Sequence, residues 1–238
     1  MWGGSPRENG VHKLYTSELD IAPEHLDAFV QWYAFRHAPD IYQIGFDVCT
    51  SYRSVAGDMT ILDLYEIDSV DIFDTPRYRA IAPADPYFNS VLQHRTNKAH
   101  SVYTQVFVAP TPVDARALLN ADWISVERFD HAGPDDDALV RYLASTEAER
   151  ILLAGAKRVR LAHRTKAGPK HVSDRPRWML LAEWPQPPGI TDIGSRLQTH
   201  FGSSLSNRSF FRGYRLYPWA DRPDLLPSAA PTHPEPNR

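Results

Sequence analysis

A single cysteine, Cys49, in 238 residues leaves no internal disulfide and no zinc site built on several thiolates. Charge of one sign is not in excess either. The 26 Lys and Arg against 29 Asp and Glu give a net charge of -3, so the composition points to neither nucleic acid nor an anionic membrane, which are held through surplus cations. No apolar run approaches the roughly 18 residues of a membrane span. The opening MWGGSPRENG lacks the apolar centre of a signal peptide, and the expected location is the cytoplasm. Several motifs are missing as well: there is no P-loop, GxGxxG, GxSxG or HExxH. The direct nucleotide, dinucleotide and α/β-hydrolase readings fall away, and no local spacing suggests a metal.

Aromatic residues are plentiful, with eleven Tyr and six Trp. Each brings an apolar body and a polar tip, suited to a core and equally to a pocket wall. The chain after Pro218 is Pro-rich and loses apolar periodicity, which reads as an extended, disordered arm. Between the ends two patterns alternate. KLYTSELDI (13–21) has strand periodicity. Pro23 suits a first helical turn, and Leu26, Val30, Tyr33 and His37 then share one helical face beside Phe29, with Pro39 expected to end the helix. GFDVCTSYRSV (45–55) and MTILDLYEI (59–67) read as a hairpin around a Gly-Asp turn at 57–58. A short helix restarting at Pro76 (70–81) and a strand at 99–109 complete a β-α-β-β-α-β order, the ferredoxin-like unit. The same order follows in strands at 121–130, 157–165, 177–184 and 209–219 and helices at 135–154 and 190–201.

The expected fold is therefore α+β: two tandem ferredoxin-like repeats packed sheet to sheet as an intrachain α/β barrel. The expected organisation is a flexible N-terminus (1–11), a first repeat (12–110), a linker (111–120), a second repeat (121–219) and a Pro-rich tail (220–238). Both faces of the strands are apolar, Leu62 and Leu64 on one and Ile61 and Tyr65 on the other. A second sheet is the simplest cover for the face without helices, and the expected cavity lies between the sheets.

The first repeat carries Trp32-Tyr33, His37, Pro39 and Gly45-Phe46, then LYEI (64–67) and PRYRA (76–80). This pattern resembles the EthD-like proteins of the dimeric α+β barrel superfamily, here fused in tandem. The resemblance implies a cofactor-independent enzyme with a histidine in its cavity; some members of the superfamily bind haem instead. Matching Val30 to Val140 sets His37 against Glu147 and Trp32 against Tyr142, so the second repeat lacks the motif, and one active cavity per chain is expected.

His37 reads either as a helix-end cap or as a general acid/base. Period two along 59–67 separates Leu62 and Leu64, assigned to the helix-covered core, from Asp63 and Tyr65, assigned to the cavity. A carboxyl in an apolar cavity has a raised pKa unless paired. The catalytic candidates are His37, Tyr33, Asp63 and Tyr65. Those for substrate binding are Trp32, Tyr52, Arg53, Tyr78 and His100; Arg53 is favoured for an anionic end by its bidentate fork. Cys49 has no activating neighbour and reads as structural. The leading expectation is a lyase or isomerase using histidine acid/base chemistry on a small aromatic or apolar substrate. A cofactor-free monooxygenase of the antibiotic-biosynthesis type and a haem-binding or non-catalytic ligand-binding barrel are the alternatives. No cofactor, metal, nucleic acid or membrane partner is expected, and the chain is a monomer or homodimer.

Overall fold

The structure, a computed structural model, describes residues 13–85, 87–110, 119, 121–133, 135–165, 175–189 and 192–216. The expected linker (apart from Leu119) and both terminal segments lie outside these residues. Strand β1 (Lys13–Ile21) leads into α1 (Pro23–Trp32), a π-helical turn (Tyr33–His37) and α2 (Ala38–Gln43). Strands β2 (Val48–Gly57) and β3 (Ile61–Ile67) form the hairpin. A 3₁₀ turn (Val70–Asp74), α3 (Pro76–Ala84) and α4 (Phe88–Leu92) precede β4 (Arg95–Ala109). The order recurs as β5 (Trp123–His131), α5 (Asp136–Tyr142), a second π-turn (Leu143–Glu147), α6 (Ala148–Leu153), β6 (Arg158–Arg164), β7 (Trp178–Trp184), α7 (Ile193–Phe201) and β8 (Leu205–Arg215).

The eight strands close into one barrel in the order β1-β3-β2-β8-β5-β7-β6-β4. Each unit contributes its four strands as a block, and the blocks join where β2 pairs with β8 and β4 with β6, both antiparallel. Closure removes the free edges that two open sheets would present. Every residue of β3 and β7 is buried because one face meets the barrel interior and the other meets helices.

The interior is filled. Leu14, Leu62, Leu64, Tyr52 and Tyr103 of the first unit pack against Ile124, Val126, Met179, Leu181 and Phe211 of the second. Three carboxylates lie among them. Glu66 and Glu183 both reach Arg160, at 2.6 and 2.7 Å, and Glu18 pairs with Arg128, with Arg175 Nε 2.7 Å from its other oxygen. An eight-stranded barrel has about the width its own side chains fill. The expected placement of faces is thereby reversed: Leu62 and Leu64 point into the barrel, whereas Asp63 and Tyr65 point outward beneath the helices of the first unit.

Pro39 does not end its helix. The chain passes through it into α2, ends at Ile44 and turns at Gly45 with φ of 103°, a conformation suited to glycine. The π-turn before it closes with Ala38 N–H donating to Tyr33 O. A matching π-turn at Leu143–Glu147, with Ala148 N–H donating to Leu143 O, has no proline after it, so this irregularity belongs to the repeat rather than to Pro39. The two π-turns align Tyr33 with Leu143 and His37 with Glu147.

Candidate active site

A cavity of about 440 Å³ opens between the first unit's strands and its helices, within the range of small-molecule sites. It is not the inter-sheet cavity expected from the sequence, since that space is the packed barrel interior. Its floor follows from strand register. Asp63 of β3 lies opposite Ser51 of β2 and Ser17 of β1, and Ser17 lies opposite His100 of β4. One pleat along, Tyr65 faces Cys49 and Tyr15. Period two aims these rows at the helices. Trp32, His37, Tyr78 and Leu92 close the roof, and Arg95 and Lys98 stand on the wall with His100.

The π-turn shapes the roof. In a regular helix, residues five apart point about 140° away from each other. Here Trp32 and His37 stack, with ring centroids 4.8 Å apart and planes 21° from parallel. The Trp32 indole N–H donates to Asp85 Oδ2 at 2.6 Å, which fixes the ring that backs the imidazole. His37 Nε2 and the Tyr65 hydroxyl share a hydrogen bond of 3.3 Å, and the Tyr15 hydroxyl lies 3.0 Å from His100 Nδ1. Two imidazole–phenol pairs therefore face one enclosed space.

Burial sets the protonation states. It pushes the Asp63 carboxyl up to about 7, with the Ser51 hydroxyl and the Arg95 guanidinium acting in the opposite sense. Asp63 is 3% exposed and its Oδ1 has no hydrogen-bond partner. Burial likewise lowers His37 to about 4, against the raising effect of Asp85, so its imidazole is neutral near pH 7. Burial holds the Tyr15 and Tyr65 hydroxyls well above the ordinary phenol value, and both remain protonated. The arrangement contains a base that titrates near neutrality, neutral hydrogen-bond donors beside it and cations on one wall.

Of the residues expected from the sequence, the structure brings Trp32, His37, Asp63, Tyr65, Tyr78 and His100 to this cavity. Tyr33 lies behind the wall, its hydroxyl 3.2 Å from Cys49 Sγ and 3.3 Å from Thr50 O. Tyr52 points into the barrel, where its hydroxyl donates to Ala121 O at 3.0 Å. Arg53, paired across strands with Ile61 and Tyr214 near the far end of β2, is outside the lining. Asp40, three residues beyond His37, makes no hydrogen bond to it; Asp85 acts from the other side through Trp32. The residues missed were Tyr15, Ser17, Asp85, Arg95 and Lys98. Period two and the β1–β3 register would have found the first two. The cations were hidden because β4 begins at Arg95, and Asn97 with φ of 47° breaks the alternation there.

Among the described residues the second unit has no equivalent set. Register puts Leu180 in the place of Asp63, Ala182 in that of Tyr65 and Ser125 in that of Tyr15. Glu147, in the place of His37, is fully buried and paired with Arg196 of α7. Among the described residues no group of three or more His, Cys, Asp or Glu is placed to hold a metal ion, and no helix is long and apolar enough to cross a membrane.

No family model and no curated protein matches the chain. Solved structures share its fold. An anthrone oxidase-like protein superposes with a TM-score of 0.59 at 8% identity, covering 88% of this chain and 93% of that one. A single-residue variant of chlorite dismutase from Candidatus Nitrospira defluvii gives 0.56 at 12%, covering 91% and 95%. A heme-binding protein from Thermus thermophilus gives 0.52 at 15%, covering 89% and 93%. The shared fold is a closed eight-stranded α+β barrel built from two ferredoxin-like units in one chain. These similarities do not single out the EthD-like branch.

Proposed function

We propose that the cavity is the active site of a cofactor-independent oxygenase: it removes a proton from an activated carbon of a small aromatic substrate, and the resulting anion reacts with dioxygen. The observation that carries this reading is Asp63, a buried carboxyl with an unpartnered oxygen and a pKa near 7. A general base works best when its pKa lies near the operating pH.

For a methylene flanked by aromatic rings and conjugated to a carbonyl, Asp63 takes one C–H proton. The charge delocalises onto the carbonyl oxygen, which accepts a hydrogen bond from the Tyr65 hydroxyl, and that hydroxyl in turn accepts one from Nε2–H of neutral His37. Donors fixed where negative charge develops are the main source of such stabilisation. The carbanion gives its electrons to dioxygen, a C–O bond forms, and a proton completes a hydroperoxide. Loss of the second C–H proton then breaks the O–O bond, leaving a ketone and one water. The sum, R₂CH₂ + O₂ → R₂C=O + H₂O, needs no external reductant. In this reading His37 orients and donates, and the proton shuttle first expected of it falls to Asp63.

The likeness to an anthrone oxidase-like protein supports this class over a lyase or isomerase, which would reprotonate the same anion without oxygen. A haem reading draws on the heme-binding structure of the same fold. His37 Nε2 and His100 Nδ1 each pair with a tyrosine hydroxyl, so an axial ligand would have to be the other ring nitrogen of either imidazole, and a haem absorption band in the purified protein would favour that reading over this one. Oxygen uptake with anthrone as probe tests the proposal. Wild type should consume oxygen in step with ketone formation, and Asp63→Asn should lose about 100-fold or more in rate. Turnover under anaerobic conditions would point to the lyase or isomerase instead.

A further inference from the structure

The cations on the cavity wall have no assigned task in proton abstraction. Arg95 is half-buried, and its hydrogen bond from Nε to Leu92 O, at 3.2 Å, uses the inner nitrogen of the guanidinium. Among the described residues no carboxylate lies within ion-pair distance of it or of Lys98, and both line the cavity. Ion pairs elsewhere in the protein engage even buried arginines, such as Arg128 and Arg160. A partly desolvated guanidinium with no direct ion-pair partner beside an aromatic cavity, its charge met only at longer range by Asp63, is costly unless a ligand supplies a closer one.

We infer that Arg95, assisted by Lys98, is the specificity-determining group for a substrate that is an aromatic acid, its carboxylate or phenolate held on this wall while its rings lie between Trp32 and the tyrosines. Strand register gives the span. Arg95 pairs with Ile21 and Asp63 with Ser17, positions about 13 Å apart along β1 at the usual rise. The Arg95 side chain reaches back along that wall far enough for its charge to act on Asp63. With that reach the span between the anionic group and the reacting carbon is shorter than the backbone separation and suits a fused bicyclic aromatic, and the planar guanidinium fork matches a carboxylate. This inference rests on the reading of the cavity as a substrate site, but not on the identity of the base.

The test is binding rather than turnover, so its failure is distinct from failure of the oxygenase reading. Calorimetric titration of the full chain compares 2-naphthoate with 2-naphthamide, a neutral ligand of the same shape. Wild type should prefer the acid by at least about tenfold, as expected for a charge-assisted pair. Arg95→Met should abolish that preference while the amide still binds, which also shows that the cavity is intact. Arg95→Lys should retain part of it, and Lys98→Gln should reduce it less than Arg95→Met. Equal affinity of wild type for acid and amide, or a preference that survives in an Arg95→Met/Lys98→Gln double variant, overturns the inference. If Arg95→Met no longer folds, the comparison of wild type with Lys98→Gln and Arg95→Lys decides, and an unchanged preference across these three counts against it.

Discussion

Trp32 lies flat against His37, five residues along the same helix, with ring centroids 4.8 Å apart. Only the π-turn between them permits that contact. π-Turns recur at functional sites because they re-aim side chains without breaking a helix, and this one carries an imidazole onto the cavity roof. The second unit has the same turn but sets a buried Glu147 at its end. One local geometry thus serves a site in one half and an ion pair in the other.

The Trp32–His37 stack depends on Asp85, which is 8% exposed, accepts from the indole at 2.6 Å and also accepts from Tyr87 N–H at 2.9 Å. Asp85→Ala should cost about 2–3 kcal/mol in urea unfolding through lost charge-assisted hydrogen bonds. Turnover should fall as well, because the indole no longer holds the imidazole. Unchanged unfolding would show that the ring is fixed by packing alone.

Asp63 and His37 make opposite contributions to stability as pH changes. Asp63 titrates near 7 in the folded chain and near 3.8 unfolded. The folded state therefore binds the extra proton between these values, and this group makes stability fall as pH rises through them. His37, near 4 folded and 6.5 unfolded, makes stability rise over pH 4 to 6.5. Asp63→Asn removes only the falling part. Its stability relative to wild type should increase by roughly 2–4 kcal/mol between pH 4.5 and 7.5, read from urea midpoints at both values. A difference independent of pH would mean that Asp63 is not protonated in the folded protein below pH 7.

The buried pair of the second unit is structural. Arg196→Met leaves Glu147 without its main partner and should destabilise by about 3 kcal/mol, with oxygen uptake per folded molecule unchanged. Loss of turnover in the folded variant would place catalysis in both halves.

Inside the barrel, Arg160 neutralises both Glu66 and Glu183. Arg160→Met strands two buried carboxylates and should cost about 3–5 kcal/mol. Adding Glu66→Gln and Glu183→Gln should restore most of that loss in chemical denaturation, because uncharged amides remove the desolvation penalty that two stranded carboxylates leave.

The fold was legible because β3 and β7 announce two buried faces, and the βαββαβ order repeats with matching lengths. The direction of those faces was not. Leu62 and Leu64 suit a helix-covered core as well as a barrel interior, and period two separates faces without saying which is which. The interior is identified by Glu18, Glu66, Arg128 and Arg160, whose ion-pair partners lie 23 to 157 residues away in sequence. Pattern alone assigns Asp63, Tyr65 and His37 to a cavity, and all three line one. Tyr52 and Arg53 were misplaced because strand alternation was read without the barrel's register. Arg95 escaped because Asn97 interrupts the pattern that would have revealed it.

The central claim is that Asp63, not His37, is the base. The pH dependence of kcat/KM for oxygen uptake with anthrone tests it most directly. The account predicts a rate that rises to a plateau with a midpoint near 7, and a rate in Asp63→Asn that is low across the whole range. A midpoint near 4, the value held by His37, or a wild-type rate in Asp63→Asn, would contradict it.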